Sequence, residues 1–350
     1  MSASGLGPLV RLWGLRNEQL PAATASADEL APLLIAILQE AVPFIDSAAP
    51  KGSSAAAPDP KLWKRKGTHA HADSAARVEV LERAVPAADL ERVVAASSGS
   101  TSKVSETWCC RRSVHADKAD RGTASWAEFD RCFREHHAES ERAFTPSCLA
   151  ARAALRWDCA GVEAHEGGLA WTDFSLVVEE MRHRIGRPVL KDRTFPVLQM
   201  TCRAVAGGGQ EEEEFVVVSI PVPDFARSAA STLAAEKGAQ VATYVSVERI
   251  RKLNDGEGGG GSIEWLMATA SDAGGALPAW VQNLAAPGVI WKDVPLFLGW
   301  IAKERQGGGG AKDGAVDGGE AGPQASTGVE VDAVPTVSGG DARAGATDGP

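Results

Sequence analysis

Apolar positions recur every second residue through the middle of the chain and every third or fourth residue toward both ends. These are the periods of a half-buried strand and of an amphipathic helix. Ser26-x-x-Glu29 reads as a capping box that opens a helix through about Gln39, with Leu30, Leu33, Leu34, Ile37 and Leu38 on its apolar face. Ala48 to Pro60 is a linker of small residues, Val104 to Val114 an early strand, and Ser125 to about Ser140 a helix with Trp126, Phe129 and Phe133 on one side. Trp171 to Met181, Thr194 to Ala204, Glu213 to Val222 and Val241 to Leu253 come next as strands, joined by Gly-rich or turn-like links such as Gly207 to Gln210 and Gly256 to Gly261. Ser262 to Ala270 is the last strand and Asp272 to Gly275 a turn. From Pro278 the period becomes helical, with Trp280, Leu284, Pro287, Ile290, Val294, Phe297 and Ile301 forming one stripe. Pro287-Gly288 should kink this helix, and Asp293 should recap a second segment.

The strands predict a mainly antiparallel meander flanked by helices, a sheet that can bury one face and wet the other. Phe174, Leu176 and Val178 share a face of their strand, as do Leu198 with Met200 and Val216 with Val218. In the last strand Trp265 and Met267 share one face, Leu266 and Ala268 the other. Alternation leaves open which face looks inward.

With 44% hydrophobic and 23% charged residues, 350 residues can bury one sizeable core, in one large domain or two. The net charge of -10 is concentrated: from Gly307 to Pro350 there are seven acidic and two basic side chains, thirteen glycines and no aromatic residue. Such a tail cannot bury enough apolar surface to offset its ordering entropy and is expected to be disordered. The body is then only mildly acidic, which argues against nucleic acid as a partner. The longest apolar stretch, Leu30 to Phe44, is broken by Pro32, Gln39, Glu40 and Pro43, short of a membrane span. The N-terminus has no charged region followed by an apolar core. A cytoplasmic or peripheral location is expected.

Candidate chemistry is sparse. Cys109, Cys110, Cys132, Cys148, Cys159 and Cys202 show no C-x-x-C pair and no zinc-like spacing with histidine, so they read as reduced, packed thiols. His69-Ala-His71 could hold a metal only with ligands from elsewhere. His136 and His137 read as helix-end residues interacting with neighbouring carboxylates, and Glu211 to Glu214 as a solvated hairpin tip. There is no G-x-S-x-G elbow, no H-E-x-x-H pair and no phosphate loop. No catalytic residue, metal site or cofactor is expected. Lys61, Trp63, Lys64, Arg65 and Lys66 form a basic cluster around a tryptophan, which reads as a solvated strand end with one buried tryptophan or as a contact for anionic lipid.

Met267 to Pro278, M-A-T-A-S-D-A-G-G-A-L-P, with W-L just before it and the helix after it, resembles the last strand and closing helix of START domains, the lipid-transfer modules related to steroidogenic acute regulatory protein. More closely, the chain resembles a fungal START-like family of the Bet v1-like superfamily, one without an assigned biochemical role. That resemblance is carried by Glu40 to Ser47, Leu62 to Arg65, Gly122 to Phe129, Phe144 to Pro146, Phe195 to Leu198, Ile220 to Val222, Tyr244 to Arg249 and the long motif itself, and it covers nearly all of residues 1–306. It implies an α+β fold of the START-like helix-grip type, a curved, mainly antiparallel sheet closed by a long C-terminal helix over a hydrophobic cavity. Residues 1–60 would be an N-terminal helix and linker packed on a START-like domain of residues 61–306, with 307–350 as tail. Alternating strand faces and the helix stripe place Leu198, Met200, Val216, Val218, Tyr244, Trp265, Met267, Trp280 and Leu284 around such a cavity, Tyr244 offering a polar hydroxyl. The expected function is binding or intracellular transfer of a hydrophobic small molecule, a lipid or sterol. The alternatives are a non-enzymatic adaptor with a filled core and a polyketide-cyclase-like enzyme.

Overall fold

The computed structural model of the protein describes residues 7–51, 57–97, 105–184, 191–205, 213–253, 261–272 and 287–308. Its strands are β1 (Lys64–His71), β2 (Ser74–Val85), β3 (Glu106–Ala116), β4 (Cys148–Trp157), β5 (Ala164–Glu166), β6 (Leu169–His183), β7 (Arg193–Val205), β8 (Glu214–Pro221), β9 (Gln240–Val241), β10 (Thr243–Leu253) and β11 (Ser262–Asp272). They form one sheet in the order β1-β2-β3-β11-β10-β8-β7-β6-β4, every neighbour antiparallel, with β5 added to β6 and β9 parallel to β7. The sheet is curved but open, its edges at β1 and β4. The helices are α1 (Ala27–Asp46), α2 (Ala87–Ser97), α3 (Trp126–Phe129), α4 (His137–Phe144) and α5 (Asp293–Gly308).

Both faces of the sheet are covered, which departs from the expectation of one wet face. On the first, Leu176, Val178, Leu198, Met200, Val216, Val218, Val245, Val247, Leu266 and Ala268 share a core with Leu30, Leu34, Ile37, Leu38, Ala41, Val42, Phe44 and Ile45 of α1. Ser26 and Glu29 cap this helix reciprocally, but it runs past Gln39 and carries Pro32 and Pro43 inside it. An internal proline costs about 3 kcal/mol, whereas Val42, Phe44 and Ile45, each at most 1% exposed, contribute roughly 1.5–3 kcal/mol apiece by burial. Tertiary packing therefore carries the helix through both. Glu40 accepts hydrogen bonds from the Leu9 and Val10 amides, and Asp46 pairs with buried Arg249, so both the preceding segment and the sheet are tied to α1.

On the second face, Phe215, Val217, Ile250, Ile263 and Trp265 pack with Phe129, Phe133 and Phe144 and with Val294, Phe297, Leu298 and Ile301 of α5. The single helix expected from Ser125 to Ser140 is broken. Ser125 and Glu128 cap α3, a π-helical turn comes next over Asp130–Glu135, and His136 leaves helical geometry at φ -129° and ψ 47° before α4 begins. The wide turn keeps Phe129 and Phe133 on the sheet-facing side. Asp130 braces it through Arg134 and Arg203.

One further expectation changes. Glu214 is buried and pairs with Lys51 at 2.7 Å, so this part of the acidic run is inside the fold. Trp63 is 2% exposed: its ring packs edge-on to Phe44 and its N–H donates to Ser47 Oγ, which leaves Lys61, Lys64, Arg65 and Lys66 as an exposed basic row without a projecting tryptophan. His69 stacks on Trp291, centroids 4.7 Å apart, and the described residues contain no metal-competent cluster of three or more His, Cys, Asp or Glu side chains. All six cysteines are free and buried, as packed thiols should be. None of the described helices is long and apolar enough to cross a membrane.

Candidate functional site

A cavity of about 310 Å³ opens on the second face, between the strands β3, β10, β11 and β7 and the helices α4 and α5. Register explains its floor. Glu248 lies opposite Met267 across the β10/β11 pair, and Met267 lies opposite Arg111 across β11/β3, so the three side chains run side by side over neighbouring strands. Tyr244 and Ser246 continue the row on β10, and Thr269 and Ser271 on β11. Phe133 and Phe144, with Phe195 of β7, supply aromatic wall. His137 and Glu141 enter from α4, and Asp293 from the first position of α5.

Glu248 is the centre of the polar floor. Its Oε1 accepts from the Trp265 indole N–H at 2.6 Å and from Arg111 Nη2 at 3.2 Å, while Oε2 lies 3.4 Å from His137 Nε2. Burial would raise its pKa, but the His137 hydrogen bond, the Arg111 and His137 charges and the Trp265 N–H outweigh burial and hold it below the usual carboxylate range. For His137 burial works against the charged ring, and the hydrogen bond and charge of Glu248, with Glu141 and Glu179 adding, carry its pKa above the usual value. Asp293, at the cavity mouth with its side chain 34% exposed, lies 3.6 Å from Arg111 Nε. Partial burial pushes it up to about 6 against the pull of Arg111, with Glu141 and Glu248 adding repulsion. Tyr244 is raised well above the usual phenol value by burial; its hydroxyl shares a hydrogen bond with Ser219 and its ring packs edge-on to Phe195. The guanidinium of Arg111 lies over the Trp265 ring with its carbon 3.9 Å from the centroid.

Of the residues expected around a cavity, Tyr244 and Met267 line this one. Trp265 lies on the same face as a support, stacked under Arg111 and bonded to Glu248. Leu198, Met200, Val216 and Val218 are on the opposite face, buried under α1. Their even-numbered alternation is purely apolar, and that is the face a buried amphipathic helix covers best. Trp280 and Leu284 lie outside the described residues. Arg111, His137, Glu248 and Asp293 were not expected at a site. The available signal was charged residues alternating with apolar ones inside β3 and β10, where a charge must find a buried partner.

A curved antiparallel sheet carries a C-terminal helix packed across one face, with a part-apolar cavity between them. The chain belongs to the family described as Protein of unknown function (DUF3074), whose model matches residues 108–301, more than half of its length. No curated protein matches it in sequence. Among solved structures it is similar to human STARD10, at 13% identity over 78% of this chain and 82% of that one, with a TM-score of 0.44. It is likewise similar to human StAR-related lipid transfer protein 5, at 10% identity over 81% and 100% with a TM-score of 0.44. A STAR-related lipid transfer protein fragment from Xanthomonas axonopodis matches at 13% over 70% and 98%, with a TM-score of 0.36.

Proposed function

We propose that the protein binds one hydrophobic small molecule in the cavity beside Arg111 and Glu248 and carries it within the cell. The observation that supports this is the lining: Phe133, Phe144, Phe195 and Met267 offer an apolar body site, and a hydrogen-bonded charged cluster closes one end. A few fixed polar groups in an apolar wall are the usual make-up of a small-molecule site. At about 310 Å³, the cavity is at the small end of such sites, roughly 300–1,000 Å³, which suits a single-chain lipid or at most a sterol-sized ring system. The exposed row Lys61, Lys64, Arg65 and Lys66 would supply electrostatic contact with an anionic membrane during exchange. A cytoplasmic setting fits this reading.

Organic extraction and mass spectrometry of the purified full chain test it. A stoichiometric hydrophobic compound is expected, and Ser246→Phe, which puts a ring into the cavity, should abolish it. An empty extract together with no uptake of added lipid would overturn the reading. The polyketide-cyclase-like alternative draws on one observation, the His137–Glu248 pair facing the cavity, which could move a proton on a bound substrate. Turnover of the extracted compound would favour it. An adaptor with a filled interior is disfavoured by the cavity itself.

A further inference from the structure

The helix α4 stands between two cavities. His137, Glu141 and Phe144, successive turns along one side of it, line the cavity described above, whereas Ala138 and Ala143 on its other side line a second cavity of about 310 Å³ against β4 and β6. The two sides are built differently. Polar contacts from α4 to the sheet run from the first side: His137 Nε2 lies 3.4 Å from Glu248 Oε2, His137 Nδ1 lies 3.3 Å from Gln199 Nε2, and Glu141 Oε1 lies 3.8 Å from His183 Nε2. Across the second cavity the helix faces Ala151 and Ala153 of β4 and Glu179 of β6, whose Oε2 has no hydrogen-bond partner. Alanines on both walls leave a gap where a close-packed helix would place apolar bulk.

The ends of α4 suit a swing toward that gap. His136 leaves helical geometry at φ -129° and ψ 47°, directly after the π-helical turn, and residues at element ends absorb the backbone change of a hinge. At the far end Phe144 sits in the aromatic cluster, its ring centroid 5.7 Å from Phe297 and 6.0 Å from Phe133. That contact supplies a pivot. The helix has eight residues, about 12 Å of length and about 10 Å of width, so a sideways shift averaging about 2.5 Å sweeps a volume the size of the second cavity. Such a shift carries His137 and Glu141 away from Glu248 and widens the first cavity while Phe144 stays against α5. The His137–Glu248 contact acts as the latch. Resting on the reading of the first cavity as a ligand site, we infer that α4 is its gate, swinging about Phe144 into the second cavity to admit and release the hydrophobic molecule.

Stopped-flow mixing of the full chain with cis-parinaric acid and with parinaryl alcohol, single-chain probes that accept energy from tryptophan, measures entry and release. Ala151→Phe puts a ring into the second cavity at a position outside the lining of the first. It should slow entry and release alike, by about tenfold, and leave Kd within about twofold. The smaller Ala153→Leu should fall between it and the wild type. Amide hydrogen exchange reads the motion itself: in the wild type, Ser140 to Thr145 should exchange at least about tenfold faster than Leu34 to Ala41 of α1, and Ala151→Phe should slow them. Unchanged rates in both variants, a loss of affinity carried by release alone, or α4 amides as slow as those of α1 would overturn the gate. If Ala151→Phe does not fold, Ala153→Leu and the wild-type exchange decide. Uptake of a probe with unaltered rates removes the gate alone; if the wild type takes up neither probe, the ligand-binding reading falls and the gate with it.

Discussion

Glu248 and Glu179 are both buried on the helix-covered face, but their surroundings push them in opposite directions. Glu248 is surrounded by donors and stays ionised. Glu179, on β6 beside a second cavity against α4, has an unpartnered Oε2. Burial, reinforced by Glu139, pushes its pKa up to about 7 in spite of Arg156 and His137. A carboxyl whose folded pKa exceeds its unfolded value binds its proton more tightly in the folded state. It is harmless below the unfolded value, near pH 4.5, costs stability progressively as pH rises from there to about 7, and carries its full cost above that. Glu179→Gln should therefore leave stability at about pH 4 little changed and raise it at about pH 8, by up to about 3 kcal/mol. Denaturant titration at both pH values checks the sign; a variant that gains nothing at the higher pH would contradict the assignment. At this scale the sequence was half legible. Tyr244 and Met267 fell on the cavity face because strand parity is reliable once a strand is recognised. Leu198, Met200, Val216 and Val218 did not, because an unbroken apolar alternation marks a solid core as well as a greasy cavity, and only the position of α1 separates the two.

The elements themselves were legible where a clean period of two or of three to four existed. The strands β3, β6, β7, β8, β10 and β11 fall close to their expected limits, and α5 begins at Asp293, where a new cap was expected. The edge strands β1 and β4 were not recognised. β1 is polar and largely exposed, and C-L-A-A-R-A-A-L-R-W of β4 is too rich in alanine to show a strand period. The break at His136 was also hidden, because a π-turn preserves the helical spacing of Phe129 and Phe133 while rotating the residues beyond it. Phe297 docks α5: it is fully buried, with ring centroids 4.8 Å from Phe133, 5.3 Å from Phe129 and 5.6 Å from Trp265. Phe297→Ala should cost about 3–5 kcal/mol in chemical denaturation. A loss below about 1 kcal/mol would mean that the site collapses freely and that α5 is not held on the sheet by this cluster.

At the scale of the whole molecule, one sheet serves two tasks. The face under α1 is mostly apolar and close-packed, with a buried ionic network of Arg249, Arg251, Glu264 and Asp46 at one end, and joins the N-terminal segment, the helix and the long strands into one core. The face under α4 and α5 is mixed: its aromatic cluster stabilises, and the row from Arg111 to Glu248 leaves a polar-ended cavity. A ligand site on the first face would require α1 to leave, exposing eight or so buried side chains at roughly 1.5–3 kcal/mol each, whereas the second face already holds a cavity. The fold class was readable from the order of strands and the closing helix, but the division of labour between faces was not, since it depends on where a distant helix packs. A crystal structure of the full chain grown with a brominated single-chain amphiphile, in which anomalous scattering locates the bromine, decides between the two faces. A ligand held on the α5 side gives a single bromine peak among Phe133, Phe144, Phe195 and Met267; a peak among Leu198, Met200, Val216 and Val218 beneath α1 would contradict that placement.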